Sequence, residues 1–138
     1  MSLQHDDTLS LLSQQTKIKE IAKWNRLAET WSFSAPPAVP SNEEIQIYQN
    51  CFLKYRAGDV FRVVILGSTK ELRKIFLNNE KLLKTKVYCV DWSERMYFSN
   101  TEIGRISNPN EQLICEDWQK FDLDGESADV IVGDKSID

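Results

Sequence analysis

Short apolar runs alternate with polar, helix-forming stretches along most of this chain. Val63-Val64-Ile65-Leu66 follows Arg62 without polar interruption, carries three β-branched residues and stops at Gly67. A continuous apolar run of this kind predicts a strand covered on both faces. Gly67 permits a sharp turn, and Ser68 or Thr69 can cap the helix that Glu71-Leu72-Arg73-Lys74-Ile75-Phe76 begins. Asn78-Asn79 is expected to interrupt that helix before Glu80-Lys81-Leu82-Leu83.

The same order recurs downstream. Lys86-Val87-Tyr88-Cys89-Val90 ends in Asp91, Gln112-Leu113-Ile114-Cys115 ends in Glu116-Asp117, and Ala128-Asp129-Val130-Ile131-Val132 ends in Gly133-Asp134. Ser93 is placed to cap a helix containing Met96, Tyr97 and Phe98, and Ser107-Asn108-Pro109-Asn110 reads as a turn. Strands alternating with helices predict an α/β fold on a parallel sheet, with the acidic strand tips gathered on one rim. In open parallel sheets that rim is where ligands sit.

Upstream, Met1 to Asp7 reads as a frayed polar end, and a helix is expected from about Thr8 to about Thr30 on the spacing of Leu9, Leu12, Ile18, Ile21, Ala22 and Ala28. Trp24 and Trp31 project from similar faces of it and are expected to pack the helix onto the domain. Pro36, Pro37 and Pro40 make Ser32 to Ser41 an extended connector. Ser41 with Glu44 forms a capping box for a helix over about 42–56, whose apolar stripe is Ile45, Tyr48, Cys51, Phe52 and Tyr55. The chain thus divides into residues 1–58, N-terminal helices and connector, and residues 59–138, the sheet-bearing core.

At 138 residues, with 41% hydrophobic and 28% charged, the chain suits one ordinary globular core. Its net charge of -4 disfavours non-specific nucleic-acid binding. Cys51, Cys89 and Cys115 lack metal-ligand spacing and read as reduced thiols, with Cys89 and Cys115 as neighbours on adjacent strands. No stretch approaches the roughly 20 apolar residues a membrane helix needs, so a cytoplasmic protein is expected.

Four stretches carry a resemblance. Val64-Ile65-Leu66-Gly67 with its turn, Tyr88-Cys89-Val90-Asp91-Trp92-Ser93, Cys115-Glu116-Asp117-Trp118, and Ala128 to Asp134 resemble the first four motifs of class I S-adenosylmethionine-dependent methyltransferases. The likeness is greatest to a bacterial branch with L-G-x-T-x-E-L, G-D-W and G-D-x-S motifs, here Leu66 to Leu72, Glu116-Asp117-Trp118 and Gly133-Asp134-Lys135-Ser136. It implies a Rossmann-like, doubly wound parallel sheet of order 3-2-1-4, cut short after the fourth strand. An uncovered fourth strand would then lead to self-association through its edge, or belong to a longer protein.

The resemblance also implies S-adenosyl-L-methionine as the cofactor, held by the Gly67, Ser68, Thr69 and Glu71 loop. Asp91, with Trp92 beside it, would accept from the ribose hydroxyls. Asp117 would accept from the adenine amino group, while the Trp118 amide or ring meets the base. Asp134 would face the methionine part of the donor or the acceptor, and is the one candidate general base; the methyl acceptor is not indicated. No metal is required, and the lone His5 lies in the N-terminal tail. The residues alone leave other readings open: Asp91 as a helix cap, Trp118 as a core aromatic, a nicotinamide-dinucleotide oxidoreductase fragment, or a silent interaction domain. The loop weighs against a dinucleotide, because Thr69 and Glu71 stand where a pyrophosphate needs glycines.

Overall fold

The computed structural model describes residues 2–28, 39–123 and 125–133. Its elements run α1 (Ser2–Ala28), α2 (Asn42–Tyr55), β1 (Arg62–Leu66), α3 (Lys70–Asn78), a 3-10 turn (Glu80–Leu82), β2 (Lys86–Val90), α4 (Glu94–Gly104), β3 (Glu111–Ile114) and β4 (Val130–Val132). The four strands form one all-parallel sheet in the order β3-β2-β1-β4, an α/β Rossmann-like arrangement. The change of direction lies between β1 and β4, where sequence order reverses.

Alternate strand residues divide the core in two. Val63 and Ile65 of β1, Val87 and Cys89 of β2, and Val130 and Val132 of β4 meet Phe52 of α2 and Leu72, Ile75 and Phe76 of α3. On the opposite face Val64, Leu66, Tyr88, Val90 and Ile114 pack with Phe121, Leu123 and Ala128 from the segment between β3 and β4. Val63, Val64 and Ile65 are wholly buried, so β1 is covered on both faces as its composition predicts. β4 is not. Ile131 is 55% exposed, and among the described residues only β1 pairs with this strand.

Several boundaries differ from expectation, each for a physical reason. α1 begins at Ser2, since no glycine or proline lies between Ser2 and Ala28 to stop its hydrogen bonding. β3 begins at Glu111, whose backbone lies in register with Val87, and ends before Cys115. Cys115 is consequently exposed, not a buried strand thiol beside Cys89. Tyr55 is also exposed, past the stripe that Phe52 buries. Trp31 and residues 32–38 of the connector lie outside the described residues.

Local sequence rules hold elsewhere. The Ser41 and Glu44 capping box is present in both directions. Asn79 ends α3 and accepts the Lys81 amide to start the 3-10 turn. Ser93 caps α4 by accepting the Met96 amide. α1 is fastened to α4 by polar contacts, Ser93 Oγ to Asn25 Oδ1 and Ser99 Oγ to the Ala28 carbonyl at 3.0 Å. Among the described residues no helix is long and apolar enough to cross a membrane.

Candidate ligand-binding rim

The carboxyl ends of β1, β2 and β3 meet around one backbone atom. The Val90 carbonyl, last in β2, accepts the Gly67 amide at 2.8 Å and the Trp118 indole Nε1 at 2.7 Å. Gly67 has φ 110°, which an L side chain rarely adopts, so the turn after β1 requires this glycine. A Cβ placed there would lie 4.0 Å from Trp118 Cζ2, so the indole reaches from the β3 tip across to the β1 turn.

Asp91 joins the same two turns. It accepts the Ser68 hydroxyl on Oδ2 and the Ser93 amide on Oδ1 at 2.9 Å. Asp91 is only 9% exposed, so this strand-tip acid is buried at the rim. Burial raises its pKa above the ordinary aspartate value, against the lowering influence of the Ser68 and Ser93 hydrogen bonds. Asp91 is not the helix cap; it holds the amide of Ser93, which is. Nor does Ser68 cap α3, because its hydroxyl is directed to Asp91; Thr69 occupies the N-cap position, with no side-chain capping bond among the described residues.

The remaining candidates are arranged unequally. Glu71 pairs through Oε1 with Lys70 at 2.5 Å, while its buried Oε2 has no hydrogen-bond partner among the described residues. Trp92 Nε1 is likewise buried without a partner among the described residues, and Lys17 of α1 lies 5.9 Å from the Trp92 ring centroid. Lys17 also pairs with Glu116 at 3.4 Å, bringing α1 to the β2 and β3 tips. The Asp117 amide bond to Glu116, then Lys17, holds the Glu116 carboxyl below its usual value. Asp117 turns its Oδ1 to the Gln119 amide at 2.9 Å, in its own local turn. Asp134 lies outside the described residues. The structure therefore brings Gly67, Ser68, Asp91 and Trp118 into one connected set, with Glu71, Trp92 and Asp117 on the elements that flank it.

A second polar cluster, not read from the sequence, lies under the sheet. Arg73 of α3 is 1% exposed and forms an ion pair with Glu111 of β3. Its Nη2 donates to Thr101 Oγ1 at 2.7 Å, its Nη1 to the Tyr97 carbonyl at 3.2 Å, and its guanidinium lies 4.2 Å from the Tyr97 ring centroid. Cys89 donates its thiol to the same Glu111 carboxylate at 3.3 Å. Burial first, then the Glu111 charge, raises the Cys89 thiol well above its ordinary value and pushes Tyr97 up to about 12. The only sequence signal was Arg73 standing among Leu72, Ile75 and Phe76, the buried side of α3.

Among the described residues no group of three or more His, Cys, Asp or Glu could hold a metal ion. Comparisons with protein families, with curated proteins and with solved structures found no match to this chain.

Proposed function

We propose that this chain is the donor-binding part of an S-adenosylmethionine-dependent methyltransferase acting in the cytoplasm. The observation on which the reading rests is the convergence of Gly67, Ser68, Asp91 and Trp118 about the Val90 carbonyl at the strand tips. That is the rim where a parallel sheet of this order receives an adenosine-bearing ligand.

The unpartnered atoms fit the same donor. Glu71 Oε2 is an acceptor lacking a donor among the described residues, and the ammonium group of S-adenosylmethionine would supply one. Asp91 uses one acceptor position on each oxygen for Ser68 and Ser93, and a carboxylate has about four, so ribose hydroxyls can still be accepted. When bound, the donor supplies an activated methyl group, which transfers by in-line displacement. The chain's part is alignment.

A silent domain that binds partners on this fold is the second reading, favoured by the low exposure of Asp91. Self-association through the edge of β4 that no strand pairs among the described residues would suit either. The test is calorimetric titration with S-adenosylmethionine and, separately, with an oxidised nicotinamide dinucleotide. The methyl donor alone should bind. Binding of the dinucleotide alone would overturn the proposal, and absence of binding by the folded chain would favour the silent domain.

A further inference from the structure

We infer that the Trp118 indole is a displaceable latch over the donor site. The inference rests on the donor-binding reading and adds to it what controls access. An adenosine running from the Gly67 turn past Asp91 toward Asp117 would have to cross the Val90 carbonyl. The indole already takes that path: it leaves the chain at the β3 tip, donates Nε1 to Val90 O at 2.7 Å, and places Cζ2 4.0 Å from where a Cβ at Gly67 would stand. Ring and ligand compete for one surface.

The latch is built to open. The Val90 carbonyl keeps the Gly67 amide at 2.8 Å when the indole leaves, so no buried backbone acceptor is orphaned. Trp118 is 36% exposed, and its N–H meets water after a short swing. Neighbouring Asp117 holds the turn through Gln119 and Lys120, so the backbone on which the ring pivots is fixed.

A closed fraction weakens apparent affinity in proportion to the open population. Trp118→Phe keeps an aromatic face for the base but cannot donate to Val90 O. Calorimetry should therefore show this variant binding S-adenosylmethionine about threefold or more tighter than the unmutated chain, with faster association in stopped flow. Affinity equal to or weaker than that of the unmutated chain would overturn the latch while leaving the donor-binding reading intact. Absence of binding by both folded proteins would overturn both. An independent measurement needs no variant: saturating donor should speed solvent exchange of the Trp118 indole proton in NMR. Slower exchange would mean the indole stays on Val90 and is no latch.

Discussion

Ser68, in the turn after β1, donates its hydroxyl to Asp91 at the tip of β2, so two strand ends are tied by one buried hydrogen bond. The same carboxylate holds the Ser93 amide, and through Ser93 the first turn of α4. Asp91 is thus a structural joint as well as the acid proposed for ribose.

Asp91→Ala should destabilise the fold. It leaves the Ser68 hydroxyl and the Ser93 amide buried without their acceptor, at about 1–3 kcal/mol for each such group. A loss of about 2 kcal/mol or more in urea denaturation is expected, with Asp91→Asn nearer the unmutated chain because its Oδ1 can still accept from Ser93. Equal stability of the alanine variant would contradict the joint.

The same residue predicts a pH dependence. Burial raises the folded-state pKa of Asp91 above its unfolded value, so folding favours the protonated form. Its contribution to stability is complete below the ordinary aspartate range near ~3.9 and is lost as pH rises through the raised folded value. Relative to Asp91→Asn, which does not titrate here, the unmutated chain should gain stability on acidification through that window. Denaturation midpoints for both proteins, taken across it, check the sign; a relative loss on acidification would refute it.

Arg73 and Glu111 are both removed from water, so deleting one partner strands a buried charge. Glu111→Ala should cost roughly 3–5 kcal/mol. Replacing both residues by methionine should recover most of that loss, because the desolvation penalty disappears with the pair. A double-mutant cycle without coupling would show that the two side chains do not stabilise the fold as a pair.

The cysteines separate by exposure. Cys115 should react with a thiol reagent in the native state, faster as pH rises, because partial burial and nearby carboxylates keep its pKa above the usual thiol value. Cys89 should react only on unfolding, being buried with its thiol turned to Glu111. Mass spectrometry of timed labelling distinguishes the two, and native labelling of Cys89 would contradict its placement.

The strands and caps were legible in the sequence because they depend on neighbours in the chain. Val63 to Leu66 needed only its apolar run, and Ser41 with Glu44 or Ser93 with Met96 needed only helical spacing. The site was legible as a set of strand tips, but not as a set of contacts. Local rules offered Ser68 as a cap for α3, and a partner on another strand tip won. The direction of the Trp118 indole depends on where β1 lies relative to β3, which no local pattern records. Arg73 and Glu111 lie 38 residues apart in the chain and meet only in the folded structure, where the first residue of β3 is fixed by its register with Val87.

The most direct test of donor binding at this rim is a titration of S-adenosylmethionine into the unmutated chain and Asp91→Asn, with a thermal melt of each. Hydrogen bonds to a charged group are worth about 1.5–3 kcal/mol and a tenfold change in affinity is about 1.4 kcal/mol, so losing the carboxylate should weaken binding by about tenfold or more. Both proteins should melt cooperatively at similar temperatures. Tight binding by the unmutated chain with that loss in the variant is the predicted result; equal affinities, or no binding by a chain that melts cooperatively, would contradict it.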